Sequence, residues 1–215
     1  MPMLTKTPLY AYWKSKIARR FKSRRMAYML DLMAPYIQKN SGRPLKILEI
    51  GCSNGADAIR FLDDRWQVWG VDLLPQTIEQ PDVTFVQADA ETLPFEDDFF
   101  DIVISIGLLE HIEPMEKMSR VLLEARRVGR AYVHVMPCVS TFFEPHTLAL
   151  IWPRRQHRNY VEKRSRNIPL KLNFFSDHTW TKFQGFADAD IKRFWYIAPF
   201  IRNVAVYYDG VEENV

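Results

Sequence analysis

The stretch Lys46 to Asp57, reading K-I-L-E-I-G-C-S-N-G-A-D, constrains the fold more than any other part of the chain. Ile47, Leu48 and Ile50 make a short apolar run with β-branched residues, which suits a strand buried on both faces. Gly51 and Gly55 then bracket a tight loop, and Ala56 to Leu62 continues as a helix. Strand, glycine loop and helix, in that order, build phosphate or nucleoside sites in doubly wound α/β sheets. The loop is not G-x-x-x-x-G-K-[ST], which excludes a P-loop, and it is not the dinucleotide fingerprint G-x-G-x-x-G. Glu49, close to the turn, would repel a pyrophosphate. An acid there suits a cationic or hydroxyl-rich ligand.

Further signals follow in order. Val68 to Asp72 reads as a second strand ending in an acid, 21 residues after Gly51. Such an acid can accept both hydroxyls of a ribose. Val83 to Asp89 reads as a third strand ending in Asp89, and Phe99 to Ile112 as a fourth strand with its exit loop. Together these motifs resemble the class I S-adenosylmethionine (SAM) dependent methyltransferases. E-x-G-x-S-x-G is similar to their motif I, [DE]-x-G-x-G-x-G, with Ser53 in place of the middle glycine. Ser53 suits the turn because its hydroxyl can bond the local backbone.

The resemblance implies SAM as cofactor and S-adenosylhomocysteine as product. It implies Glu49, Gly51, Ser53 and Gly55 around the methionine and ribose, with Cys52 packed in the loop. Asp72 and Leu73 would meet the ribose, Asp89 and Ala90 the adenine, and Ile106 and Gly107 the end of the fourth strand. His111, in L-E-H-I, falls near the expected methyl position. It either takes a proton from the acceptor, since its unperturbed pKa lies near neutrality, or merely orients its loop. Glu110 and His111 lack an evident third ligand, so no metal is expected. Pro137-Cys138 is similar to the nucleophile pair of cytosine-5 methyltransferases but follows the fifth strand rather than the fourth, so Cys138 reads as a small buried residue.

The 215 residues suffice for a single domain with material left for a lid. A net charge of +3 does not force a nucleic-acid reading. Two cysteines make no disulfide framework, which fits a reducing compartment. No apolar run approaches the ~20 residues of a membrane span. Residues 1–44 read as a helical cap, with a helix from Leu9 to Ile37. It carries a basic run from Lys14 to Arg25, either a solvated face or a surface for an anionic substrate, membrane or RNA. Ser41-Gly42-Arg43-Pro44 breaks the chain before the first strand. The segment between strands two and three is short, with Pro75 and Pro81 confining any helix to about two turns.

Pro114 opens a helix to about Arg127, with Gly129 as its C-terminal stop, and Ala131 to Met136 forms strand five. Residues 138–175 are too long for an ordinary connection and read as a substrate lid. The lid carries Trp152 and the basic residues Arg154, Arg155 and Arg158. Ser176 to Gly185 reads as a helix, and Ala189 to Ile197 and Val204 to Tyr208 as two last strands. The expected fold is α/β: a Rossmann-like, seven-stranded, mostly parallel sheet with an antiparallel final hairpin. Three functional readings compete: methylation of a small, anionic or lipid- or sugar-linked acceptor; methylation of RNA along the basic clusters; and SAM binding without catalysis. The expected compartment is the cytoplasm, and oligomeric state is not legible.

Overall fold

The computed structural model describes residues 24–53, 63–75, 82–138, 143–144, 149–150, 188–197 and 201–210. In chain order these form helix α1 (24–32), α2 (Ala34–Lys39), β1 (Leu45–Ile50), β2 (Trp66–Asp72), β3 (Val83–Gln87), β4 (Phe100–Ile106), α3 (Met115–Val128), β5 (Gly129–Pro137), β6 (Phe143–Glu144), β7 (Ala149–Leu150), β8 (Asp190–Ile197) and β9 (Ile201–Tyr208). Seven strands make one sheet in the order β3-β2-β1-β4-β5-β9-β8, and β6 and β7 form a separate two-stranded ribbon. β1 pairs in parallel with both β2 and β4, while β9 is antiparallel to β5 and to β8. Only β9 therefore runs against the rest, because β8 turns back to the direction of β5.

Alternating side chains on the sheet feed two cores. On one face Leu48, Ile50, Val103, Tyr132 and Val206 meet the stripe Met118, Val121, Leu122, Ala125 and Val128 of α3. That three-and-four spacing is the apolar face of an amphipathic helix. On the other face Ile47, Ile102, Ile104, Val133 and Ala205 meet Met26, Met29, Leu32, Met33 and Tyr36 from α1 and α2. Helices on both faces explain why β4 is buried over all residues but its last.

Several boundaries differ from the sequence reading. The N-terminal helix is not continuous to Ile37: it turns at Met33, and a new helix starts with Pro35 in its first turn. Proline has no N–H to donate and clashes with the preceding turn, so it fits only at a helix start. β3 ends at Gln87, two residues before Asp89, where the chain leaves the ladder with β2. Gly129 does not close α3 in a left-handed cap; it is extended and begins β5. Its need is steric, since a Cβ there would collide with Val103 on β4. The reading of residues 56–62 and 176–185 as helices, and of most of the lid, falls outside the described residues.

At the N-terminal edge of the sheet, Asp101 gathers the polar ends of several elements. Its carboxylate accepts from Tyr36 Oη at 2.9 Å, from Arg43 at 2.8 and 2.5 Å, and from the Lys46 N–H at 2.8 Å. Burial alone would push this carboxyl up, but the bonds from Arg43, Lys46 N–H and Tyr36 outweigh it and hold it below the ordinary range. α2, the loop before β1, and β4 are thereby tied together. Asp101→Ala would strand the Tyr36 hydroxyl and the Lys46 N–H. A loss of about 2–3 kcal/mol is expected by urea unfolding, with Arg43, half-exposed, turning to solvent.

Candidate active site

The strand order reverses beside β1: β2 and then β3 lie on one side, β4 and then β5 on the other. A crevice opens at such a switch point, at the carboxyl ends of the strands. Here it is a cleft of about 320 Å³. Gly51, Asp72 and Leu73 line it from the ends of β1 and β2, and Ala88, Asp89 and Ala90 from the segment after β3. Leu108, His111, Ile112 and Glu113 contribute from the loop after β4, and Lys117 and Val121 from α3.

Local geometry makes the first wall. Gly51 has φ +73°, and a Cβ added there would lie 2.8 Å from Leu108 Cδ1. Both the left-handed backbone and the close approach demand glycine. Ser53 also has a positive φ of 50°, and its N–H donates to Asp72 Oδ2 at 2.8 Å. The Leu74 N–H donates to Asp72 Oδ1 at 3.1 Å. The Asp72 carboxylate is thus held by the glycine loop and by its own turn, with lone pairs remaining for a ligand. Leu73 is 59% exposed, an apolar side chain left open beside it.

The second wall depends on α3. The Glu91 N–H donates to Asp89 Oδ1 at 3.1 Å, closing a small side-chain turn. Lys117 bridges Asp89 Oδ2 at 3.3 Å and Glu91 Oε1 at 2.8 Å, and Arg120 grips the other side of Glu91. The Glu91 N–H, and then Lys117, hold the Asp89 carboxyl below the ordinary carboxylate range, against the effect of burial. Further along the loop, Arg127 donates to the carbonyls of Leu93 and Phe95, and Glu124 accepts the Leu93 N–H. Leu93 is buried, and Phe95 stacks with Phe99 and meets Phe100 edge-on. The segment between β3 and β4 is therefore a packed strap.

Of the residues named from the sequence, Gly51, Asp72, Leu73, Asp89, Ala90 and His111 come together on the cleft. Glu49 is buried within β1, between Gly70 of β2 and Ile104 of β4. Cys52 is buried just behind the turn, and burial, with Glu49 and Asp72 nearby, pushes its thiol up to about 12, so it is no nucleophile at neutral pH. Ile106 packs toward the α1 side, and Gly107, with φ +69°, begins the exit loop. Gly55, Trp152, Arg154, Arg155 and Arg158 lie outside the described residues. Leu108, Ile112, Glu113, Lys117 and Val121 were not singled out. Their positions are ordinary in sequence: the turn after β4 carries Leu108, Ile112 and Glu113 to the cleft, and the packing of α3 against the sheet brings Lys117 and Val121.

Residues 48–134 match the family model described as a methyltransferase domain. That stretch is a methyltransferase domain by this match. The chain is 28% identical over 105 residues to norajmaline N-methyltransferase of Rauvolfia serpentina, covering 43% of this chain and 36% of that protein. It is 34% identical over 110 residues to a probable phthiotriol/phenolphthiotriol dimycocerosates methyltransferase 2 of Mycobacterium ulcerans (strain Agy99), covering 44% and 41%. The match thus spans only about two-fifths of these curated relatives. In fold it is similar to the Burkholderia thailandensis 1,6-didemethyltoxoflavin-N1-methyltransferase, solved with 1,6-didemethyltoxoflavin and S-adenosylhomocysteine (TM-score 0.52, 16% identity, 91% of this chain and 88% of that one).

The residues of this methyltransferase domain fit SAM on their own geometry. Gly51 brings bare backbone to the cleft wall, with Leu108 packed against it. Asp72 offers a fixed acceptor, and Leu108, Ile112 and Val121 give the cleft apolar walls between Asp72 and Asp89.

Within the sheet, Ser105 of β4 and His134 of β5 face each other in register, with Ser105 Oγ 2.8 Å from His134 Nδ1. Complete burial lowers the His134 pKa from 6.5 to about 3, so the ring is neutral in the folded protein. The unfolded chain takes up this proton near pH 6.5 and the folded chain does not. The contribution to stability is therefore full above that pH and is lost as pH falls towards about 3. His134→Gln should flatten the stability slope across this window in urea titrations, and the wild-type ring should show no NMR titration between about pH 5 and 8.

Proposed function

We propose that this chain is an enzyme that transfers the methyl group of SAM to a small-molecule acceptor. The observation that carries this reading is the single cleft joining Gly51, Asp72 and Asp89 at the switch point of the sheet. SAM supplies a methyl carbon activated by its sulfonium. Asp72, fixed by the N–H groups of Ser53 and Leu74, is the acceptor for ribose hydroxyls. Asp89 accepts from the adenine amine, and Leu108, Ile112 and Val121 exclude water from the base. Such a site works mainly by holding donor and acceptor in line, so few proton-transferring groups are needed. His111, which lines the cleft from the 3₁₀ turn Leu109–His111, is the candidate to take a proton from the acceptor. The names of the relatives, norajmaline N-methyltransferase and a probable phthiotriol/phenolphthiotriol dimycocerosates methyltransferase, support a small acceptor over RNA.

SAM or S-adenosylhomocysteine should raise the melting temperature, and NAD should leave it unchanged. Asp72→Ala should weaken SAM binding by about 1.5–3 kcal/mol by calorimetry, since it removes a charged hydrogen-bond acceptor. Unchanged affinity would remove Asp72 from the site.

Acceptor choice belongs, in this reading, to the lid 138–175. Arginine forks bind carboxylate or phosphate bidentately, and Trp152 can cover an apolar body. Replacing Arg154, Arg155 and Arg158 together by Ala should leave SAM affinity nearly unchanged and raise the acceptor KM. Equal kcat/KM for the two proteins at low salt, where screening is weakest, would count against it.

A further inference from the structure

We propose that Lys117 is a cofactor-reading residue: with Asp89 it forms an acceptor–donor pair for the 6-amino edge of the adenine ring. The inference rests on the methyltransferase reading and extends it to a residue of α3.

Four charged residues of α3 hold the strap that follows β3, namely Lys117, Arg120, Glu124 and Arg127. Only Lys117 also lines the cleft. Its ammonium has three N–H donors. Two are directed at Glu91 Oε1 and Asp89 Oδ2, at 2.8 and 3.3 Å, and neither carboxylate takes the third. Asp89 likewise uses one oxygen for the Glu91 N–H and one for Lys117. A carboxylate accepts about four hydrogen bonds, so capacity remains on it. A fixed acceptor and a fixed donor therefore stand side by side, 3.3 Å apart, on one wall.

Adenine presents the complement. Its 6-amino group donates, and the ring nitrogens beside it accept. A 6-oxopurine places an acceptor where adenine has the donor and a hydrogen on the adjacent ring nitrogen, so Asp89 would face an oxygen and Lys117 an N–H. The pair thus reads the 6-position, and Glu91 with Arg120 keeps Lys117 from swinging away. Were Lys117 only a tether between α3 and the strap, its loss would loosen both purines alike.

The experiment compares S-adenosylhomocysteine with S-inosylhomocysteine, which differ at the 6-position, by calorimetry on the full chain. Wild type should bind the adenosyl form more tightly. Lys117→Met should weaken it by roughly tenfold and leave the inosyl form within about twofold, so that the preference narrows, while Lys117→Arg keeps most of it. The melting temperature of each ligand-free variant verifies folding. Equal weakening of both ligands, or a lower melting temperature with unchanged affinity, would overturn the role of Lys117 alone. Failure of wild type to bind either ligand would overturn the methyltransferase reading and this inference with it.

Discussion

Everything in this molecule turns on the contact between the ends of β1 and β4. These parallel neighbours must be close enough to share a ladder, yet the chain has to leave each of them without filling the space above the other. Two positive-φ glycines, Gly51 and Gly107, meet that requirement. Leu108 closes against the bare Cα of Gly51, so that one backbone turn forms the floor on which the next loop rests. The cleft is what remains over that junction. Neither strand supplies it alone.

Around this floor the walls have different physical origins. Asp72 is oriented by main-chain N–H groups within its own sheet edge, which any sequence with the same turn would provide. Asp89 stands beyond the end of its strand and owes its position to ion pairs and hydrogen bonds with α3. Ion pairs of this kind, partly open to water, contribute little stability one by one. Their value lies in geometry, since they fix where a carboxylate sits in a loop that has no ladder to hold it.

The first four strands were legible in the sequence because each is a short run with β-branched residues whose end is marked by glycine or an acid, and the motif spacing made their order plain; the β6–β7 ribbon carries no such mark and was not read. α3 was legible from its apolar stripe. Its role at the cleft was not, because Lys117 and Arg127 look like any solvated cations until the helix is laid on the sheet. The break at Met33 was missed because apolar spacing runs on through Pro35. At Gly129 a familiar helix stop concealed a packing constraint set by Val103, a residue distant in sequence. Glycine in sequence signals a need for space or for unusual φ without saying which.

The Asp101 cluster and the cleft lie at opposite edges of the same sheet, one before the strands and the other after them. The groups that lock the helices to the sheet are consequently spatially separate from those that meet ligands. Loops at the carboxyl ends can change length and chemistry while the clasp at the other end stays intact. An architecture divided this way is tolerant of innovation: new acceptors can be accommodated by redrafting one rim, with no need to renegotiate the foundations.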